Sequence, residues 1–304
     1  MPETLNIKKL HQLTGHKSSI FFVGDYIDDS RFISGAGDGW VVEWNFEDPE
    51  MGKLLAKVET QIFALKYLKG TSTVVVGNMN GGVHWVDLSQ PEKTKNIAHH
   101  KKGVFAIVHY KDRVLTAGGA GLLSRWDIER KRAVESIHLS NQSLRSLAYS
   151  PSRNELAVGS SDHAVYLLDA DTLSIRKRIE NAHDNSVFTV KYSPNGQLLF
   201  SGGRDAILKV WDLDTFECLS EQPAHWYTIN DLAFSPNGQW LATASRDKTI
   251  KIWDAHTFQL LKVLDTARDG GHVNSVNALF WSNFNDALVS CSDDRSIIIW
   301  EVGF

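Results

Sequence analysis

The chain has 304 residues and a mass of 34.0 kDa, which suits one large domain or two smaller ones. Apolar residues make up 42% of the sequence and charged residues 22%, and this composition excludes a wholly disordered chain. The net charge of −4 argues against a general polyanion-binding protein, because nucleic-acid affinity depends mainly on clustered lysine and arginine side chains.

Cysteine content and hydropathy indicate the compartment that we expect. Cys218 and Cys291 are the only cysteines, too few for a disulfide framework. The N-terminus shows no basic segment leading into an apolar one, and no stretch approaches the ~18 apolar residues of a membrane span. We therefore expect a cytoplasmic protein that does not enter a membrane.

An internal repeat is the most informative pattern in the chain. Residues 182–215 and 224–257 align at an offset of 42 with 14 of 34 positions identical. Tryptophans recur at similar spacing, and Leu168-Asp169 stands where one is missing between Trp126 and Trp211. The recurring tryptophans are Trp44, Trp85, Trp126, Trp211, Trp253 and Trp300. The period predicts seven units, at residues 14–48, 58–90, 98–130, 138–171, 182–215, 224–257 and 271–302.

Four of the units share fixed internal spacings. A histidine precedes a tryptophan by 28 residues and an aspartate by 22, and a serine or threonine lies four residues before that aspartate. The four sets are His16, Ser34, Asp38 and Trp44; His183, Ser201, Asp205 and Trp211; His225, Thr243, Asp247 and Trp253; and His272, Ser290, Asp294 and Trp300. One active site does not need four copies of a Ser–His–Asp combination, so we interpret these residues as structural rather than catalytic.

Each unit also shows the pattern of short strands. Ile250-Lys251-Ile252-Trp253 alternates with period two, and Pro-Asn-Gly at 194–196 and 236–238 is typical of turns. Four antiparallel strands in each of seven units predict a closed, all-β ring of four-stranded blades. The last unit stops after its third strand, so we expect residues 5–13 to supply its fourth strand and leave no exposed edge there.

These residues carry a family resemblance. Gly15-His16, Ala182-His183, Ala224-His225 and Gly271-His272, together with Trp211-Asp212 and Trp253-Asp254, resemble the WD-repeat β-propeller family. The resemblance implies a seven-bladed β-propeller and a hydrogen-bonded Trp–Ser/Thr–His–Asp set in each complete unit. The second, third and fourth units lack parts of that set, and we expect more apolar packing there.

A ring of side chains, here called the collar, is expected around the channel mouth on the face that carries the Gly-His loops. It occupies the fifth position after each motif histidine and the equivalent positions of the other units. The collar residues are Phe21, Phe63, Phe105, Arg145, Phe188, Asn230 and Asn277. The phenylalanines suit an extended peptide or a cationic side chain. The alternative is that they pack between blades.

Further candidates lie on the same face. A second ring precedes each turn aspartate and comprises Gly37, Asn78, Gly119, Ser161, Arg204, Arg246 and Asp293. Arg204 and Arg246 on adjacent blades could clamp a carboxylate or phosphate, although solvated turn arginines are commoner. Trp226 and Tyr227 follow His225 directly and belong to residue types enriched at interface hot spots.

The favoured hypothesis is a non-catalytic interaction scaffold, without cofactor or metal, that binds another protein or a peptide at the collar. One alternative is a phosphorylated-ligand or nucleic-acid binder that uses Arg204, Arg246 and a basic run. That run comprises Lys93, Lys95, His99, His100, Lys101 and Lys102. Another alternative is a channel enzyme, for which Asp25, His109 and Asp231 are the only candidates. No recognisable catalytic motif supports the enzyme.

Overall fold

The computed structural model describes residues 5–303, which form seven four-stranded antiparallel sheets. The first strands of successive sheets contact one another around the whole ring and surround a central channel. The chain is therefore a seven-bladed β-propeller, and the predicted fold class is confirmed.

The strands follow the chain blade by blade. Blades 1 to 3 contain β2 (Ile20–Asp25), β3 (Arg31–Ala36), β4 (Trp40–Asn45), β5 (Lys53–Lys57), β6 (Ile62–Tyr67), β7 (Thr73–Asn78), β8 (Gly82–Asp87), β9 (Lys95–Ala98), β10 (Val104–Tyr110), β11 (Arg113–Gly118), β12 (Leu122–Asp127) and β13 (Arg132–His138). Blades 4 to 6 contain β14 (Leu144–Ser150), β15 (Glu155–Ser160), β16 (Val165–Asp169), β17 (Ile175–Ile179), β18 (Val187–Tyr192), β19 (Leu198–Gly203), β20 (Ile207–Asp212), β21 (Cys218–Pro223), β22 (Ile229–Phe234), β23 (Trp240–Ser245), β24 (Ile250–Asp254) and β25 (Leu260–Leu264).

Blade 7 is built from both ends of the chain. It contains β26 (Val276–Trp281), β27 (Leu288–Ser292), β28 (Ile297–Gly303) and the N-terminal strand β1 (Asn6–Leu13). Strand β1 pairs antiparallel with β28, from Asn6 opposite Gly303 to Leu13 opposite Ile297. The expected ring closure is confirmed, and it covers the edge that β28 would otherwise expose.

Helical structure is scarce in the described residues. A 3₁₀ turn spans Pro91–Lys93, and a single helical turn, α1 (Thr266–Asp269), lies in the loop before blade 7. The Asp265 side chain caps α1 by accepting a hydrogen bond from the Arg268 N–H. Neither helix is long and apolar enough to cross a membrane.

The hydrophobic core lies between the blades. Val42 and Trp44 on one face of blade 1 pack against blade 7, whereas Ile33 and Val41 on the other face pack against blade 2. Successive side chains of a strand point to opposite faces, so a strand buried on both sides must be apolar at nearly every position. This requirement explains the continuous apolar run in β7, whose six residues are all buried.

Blade 2 differs from the sequence-based alignment by one residue. The tryptophan spacing places Trp85 at the position of Trp44, but the strand register gives that position to Val86. Trp85 lies on the opposite face, with its ring centroid 6.0 Å from that of Trp126 in blade 3. A one-residue shift moves a strand side chain to the other face, so Trp85 is not the motif tryptophan.

The same shift changes the second ring. The register of blade 2 gives the position before the turn to exposed Met79, and Asn78 is fully buried one residue earlier. The prediction that Asn78 belongs to the second ring is therefore wrong.

Candidate functional site

Four blades contain a buried hydrogen-bonded set, here called the quartet. In blade 1 the Trp44 Nε1–H donates to Ser34 Oγ over 2.8 Å, and Ser34 Oγ lies 2.8 Å from His16 Nε2. The other ring nitrogen of His16 lies 3.0 Å from an Asp38 oxygen. Equivalent bonds of 2.7 to 3.1 Å join His183, Ser201, Asp205 and Trp211; His225, Thr243, Asp247 and Trp253; and His272, Ser290, Asp294 and Trp300.

The quartet bonds define the protonation state of the histidine. The aspartate carboxylate can only accept, so histidine Nδ1–H donates to it, and in a neutral ring Nε2 then accepts the hydroxyl proton. The same hydroxyl oxygen accepts the tryptophan N–H. Burial lowers the pKa of His225 and keeps it neutral. Burial alone would raise the pKa of Asp247, but hydrogen bonds from His225 and from its backbone neighbours outweigh it and lower that pKa.

The quartet aspartates also anchor the loops of the face that carries the collar, here called the loop face. Asp38 accepts the Lys17 N–H at 2.8 Å, and Asp247 accepts the Trp226 N–H at 3.0 Å. Ser34 is fully buried, so a substrate cannot reach its hydroxyl. The quartet geometry supports a scaffold role.

Blades 3 and 4 keep only part of the quartet. In blade 3, Thr116 bonds Trp126 and His100, but Ala120 stands at the aspartate position. His100 Nδ1 is buried without a hydrogen-bond partner among residues 5–303, and burial together with His99 lowers its pKa to about 4. In blade 4, Ser140 and Tyr166 donate to Asp162 instead.

Blade 2 contains a different buried polar network that sequence reasoning missed. Asn78 contacts Glu59 and lies 2.9 Å from His84 Nε2, while His84 Nδ1 lies 2.8 Å from the Asn96 side-chain oxygen. These residues occupy none of the motif positions. The signal available in the sequence was a histidine and an asparagine on two consecutive predicted strands.

A β-bulge projects every collar residue. In each blade the pairing of the first two strands skips one residue, and in all seven blades the skipped residue is the collar position. A bulge leaves its extra residue outside the ladder and redirects its side chain. The seven bulges thus bring these side chains to one radius at the channel mouth, where they line a cavity of about 410 Å³.

Three collar phenylalanines on blades 1 to 3, Phe21, Phe63 and Phe105, form what we call the phenylalanine arc. Their ring centroids lie 5.1 Å apart between Phe21 and Phe63 and 5.5 Å apart between Phe63 and Phe105. All three side chains are half-buried and line the cavity, so they contact one another and also face the channel. The sequence left open whether these rings pack between blades or face the channel, and each ring does both.

The rest of the collar is polar apart from Phe188. The Arg145 guanidinium lies between two rings, 4.4 Å from the Phe105 centroid and 5.1 Å from that of Phe188, and its Nε donates to Ser161. Asn230 donates to the Val276 carbonyl, and Asn277 donates to the Ile20 carbonyl of the next blade. The asparagine amide donors therefore link adjacent blades.

The remaining loop-face candidates are exposed. Trp226 is 88% exposed and Tyr227 62% exposed. The Arg204 and Arg246 side chains are also exposed, and neither has a carboxylate or hydrogen-bond partner among residues 5–303.

Several residues named for the two alternative functions are buried or engaged in contacts within the protein. His100 of the basic run is buried in blade 3, and Lys95 donates to the Arg130 carbonyl. Asp25 is ion-paired with Lys66 at 2.6 Å, whereas Asp231 accepts the Leu279 N–H from the neighbouring blade. Within the described part of the chain, no cluster of His, Cys, Asp and Glu side chains has the arrangement of a metal site.

Comparison with known proteins gives the family. A family model described as "WD domain, G-beta repeat" matches residues 7–45, 175–212, 216–254 and 259–301, which together exceed half of the chain. The chain belongs to the WD-repeat family. The stretch between the first two matches contains blades 2 and 3 and the first three strands of blade 4, and these three blades lack a complete WD-repeat quartet.

Individual relatives are distant. The chain is 25% identical over 218 residues to the guanine nucleotide-binding protein subunit beta-5b of Danio rerio, covering 68% of this chain and 55% of that protein. It is 24% identical over 297 residues to protein tipD of Dictyostelium discoideum, covering 95% and 48%. This WD-repeat chain therefore spans about half the length of these relatives.

The fold is also similar to that of a solved WD-repeat structure. The crystal structure of the WD40 beta propeller domain of Doa1 matches with a TM-score of 0.85 at 19% identity, covering 97% of both chains. At that identity the likeness establishes the fold alone.

Proposed function

We propose that this WD-repeat protein is a non-catalytic interaction scaffold that binds an extended segment of another protein at the collar. WD-repeat propellers are typically protein-interaction scaffolds. The observation that carries the proposal is the set of seven bulges, which aim one side chain from every blade at a single cavity.

The cavity suits a chain segment. Its opening combines half-exposed phenyl rings with amide and guanidinium groups, the mixture that orients a bound peptide. Trp226 and Tyr227 provide exposed aromatic area on the same face, and aromatic side chains dominate interface energetics. A partner can therefore contact both the channel mouth and the surface of blade 6.

The partners of the channel carboxylates support the non-catalytic part of this proposal. Asp25 is engaged by Lys66 and Lys69, and Asp231 by backbone and hydroxyl donors. The lysine pairing lowers the pKa of Asp25 although burial would raise it, so this group is a poor proton acceptor at neutral pH. None of these groups is poised as a general acid or base.

The test removes the phenylalanine arc. In a Phe63→Ala and Phe105→Ala double variant, we expect loss of partners that the wild-type protein captures from its native lysate. The melting temperature should fall by no more than ~4 °C, because both rings are already half-exposed. A photo-crosslinking residue in place of Phe63 should then identify the bound segment by mass spectrometry.

The matched control removes similar apolar surface from the outer rim. Leu219 and Val134 are exposed to a similar degree as each other and lie on outer strands, away from the collar. A Leu219→Ala and Val134→Ala variant should therefore keep every captured partner. Capture that survives loss of the phenylalanine arc would contradict the collar assignment. So would outright unfolding of that variant, because the rings would then serve only to join the blades.

A further inference from the structure

The loop face around the channel mouth has two chemically different sides. On blades 1 to 3 it presents the phenylalanine arc, and on blades 4 to 6 the loop face carries arginines. Arg145 lies on blade 4, Arg204 on blade 5 and Arg246 on blade 6. These three arginines are here called the arginine arc. A ligand that spans the mouth therefore meets an apolar surface on one side and positive charge on the other.

Two glycines leave space beside the phenylalanine arc on blades 1 and 3. A methyl group added at Gly37 would lie 3.5 Å from the Phe21 ring, and one added at Gly119 would lie 3.0 Å from the Phe105 ring. A side chain at either of these two positions would contact the edge of the neighbouring ring, whereas the equivalent position of blade 2 carries exposed Met79. The equivalent positions on blades 5 and 6 carry Arg204 and Arg246, so the second ring adds positive charge on that side of the loop face.

Arg145 has unused hydrogen-bonding capacity. Its guanidinium is fixed by the rings of Phe105 and Phe188 and by the bond from Nε to Ser161. Neither terminal nitrogen has a hydrogen-bond partner among residues 5–303, although Arg145 lines the cavity. The outer edge of a guanidinium offers two parallel N–H donors, which match the two oxygens of a carboxylate.

The surroundings of Arg145 favour an incoming anion. Arg145 has no carboxylate partner among residues 5–303, and burial together with the nearby Arg204 lowers its pKa. Lys191 also lines the cavity, and its ammonium has no ion pair among residues 5–303, in contrast to Lys66, which is paired with Asp25. A cationic ligand, the other option that the sequence left open for the collar, would be repelled by these groups.

Two aspartates near the mouth disfavour a ligand with more than one negative charge. Asp231 lines the same cavity, and Asp293 holds the collar residue Asn277 at 2.8 Å. Repulsion from these carboxylates grows with the charge of the ligand, so it penalises a dianionic phosphate more than a carboxylate.

We propose, on the basis of the function proposed above, that the collar selects an acidic–apolar peptide segment. An aspartate or glutamate side chain of the segment pairs with Arg145, and an aromatic or aliphatic side chain packs on the phenylalanine arc. Side chains two residues apart on an extended peptide lie about 6.8 Å apart on one face. This spacing suits a mouth in which Phe105 directly contacts both Phe63 and Arg145.

The experiment uses an array of immobilised hexapeptides and the labelled full-length protein. Two positions, two residues apart in a glycine–serine background, carry all pairwise residue combinations, with phosphoserine included. The proteins compared are the wild type, Arg145→Gln, Arg145→Glu, Phe63→Ser and Arg132→Gln. The last is a matched control, because Arg132 is exposed on the outer strand of blade 3. Melting curves establish that each variant is folded.

The wild type should retain peptides that pair Phe, Tyr or Leu with Asp or Glu at least tenfold more strongly than their Gln counterparts. Arg145→Gln should reduce that preference below threefold, Arg145→Glu should reverse it toward Lys and Arg, and Arg132→Gln should leave it unchanged. A wild-type preference for basic peptides, or an acidic preference that survives Arg145→Gln, would overturn the inference. If phosphoserine peptides bind tenfold more strongly than glutamate peptides, the preferred ligand group is a phosphate rather than a carboxylate. That result would also overturn the inference.

The same experiment distinguishes failure of this inference from failure of the proposed peptide-binding function. If peptides bind through the phenylalanine arc without any preference for acid, this inference fails and the collar remains a peptide site. If the wild type retains no peptide, or if Phe63→Ser changes nothing, the collar is not a peptide site and both proposals fall.

Discussion

Blades 1, 5, 6 and 7 differ from blades 2, 3 and 4 in how their buried polar side chains are hydrogen-bonded. The first group repeats one quartet in which donors and acceptors are matched. In the second group, blade 4 uses Tyr166 and Ser140 on Asp162, blade 2 uses the Asn78–His84–Asn96 network, and blade 3 leaves His100 Nδ1 without a partner among the described residues. The comparison shows that the fold tolerates loss of the quartet where another network or apolar packing replaces it.

The largest effect is expected from breaking a complete quartet. Ser201→Ala removes the hydroxyl that joins Trp211 and His183 in blade 5. Each buried group left unpaired costs roughly 1–3 kcal/mol, so we expect the free energy of unfolding to fall by about 3 kcal/mol in urea denaturation.

Ser146→Ala is the matched control for this prediction. The Ser146 hydroxyl is buried but has no hydrogen-bond partner among residues 5–303. Its removal should change the free energy of unfolding by less than about 1 kcal/mol. Equal losses for the two variants would show that the quartet bonds do not distinguish blade 5 from its neighbours.

A second prediction restores the missing partner in blade 3. Ala120→Asp places a carboxylate at the position that accepts the histidine Nδ1–H in the complete blades. We expect about 1 kcal/mol of stabilisation at pH 8, because a buried unpaired donor gains a charged acceptor. The His100 pKa, followed by NMR, should rise from its present value of about 4.

The pH dependence sharpens this test. His100 binds its proton at about pH 4 in the folded protein but at about pH 6.5 once unfolded, so the unfolded state gains a proton as the pH falls between these values. As the pH falls through this range, protonation of His100 in the unfolded state should lower the free energy of unfolding of the wild type by on the order of 3 kcal/mol. Ala120→Asp should therefore stabilise more at pH 5 than at pH 8, and Ala120→Asn, which lacks the charge, should show a smaller gain. A gain that does not depend on pH would contradict the pairing.

Much of the fold follows from the sequence, because a constant interval between histidine and tryptophan requires equivalent β units. The family, the seven blades and the closure by β1 are confirmed. Blade 2 was misaligned because residue spacing does not report which face of a strand a side chain occupies, and both Trp85 and Val86 fit an apolar strand. The seven bulges could not be predicted, because they are properties of backbone pairing and are occupied by Phe, Arg and Asn alike. The stacking of Arg145 between Phe105 and Phe188 depends on contacts between different blades.

A third prediction compares two tryptophans that the sequence treats as equivalent. Trp85 and Trp126 are both fully buried and contact each other, but only the Trp126 Nε1–H has a partner, Thr116. The Trp85 Nε1–H is buried without a hydrogen-bond acceptor among residues 5–303. Replacement by phenylalanine removes a similar ring area at each position. We expect Trp126→Phe to cost about 1–2 kcal/mol more than Trp85→Phe, because only the former loses a hydrogen bond and the latter removes an unpaired donor.

Chemical denaturation of the two single variants measures this difference directly, and each variant serves as the control for ring loss in the other. If Trp85→Phe costs as much as Trp126→Phe, then Trp85 donates a hydrogen bond like a motif tryptophan and the register assigned to blade 2 is wrong. If it costs clearly less, the tryptophan period of 41 residues through Trp85 reflects apolar packing against blade 3, and the quartet of blade 2 has been replaced by the Asn78–His84–Asn96 network.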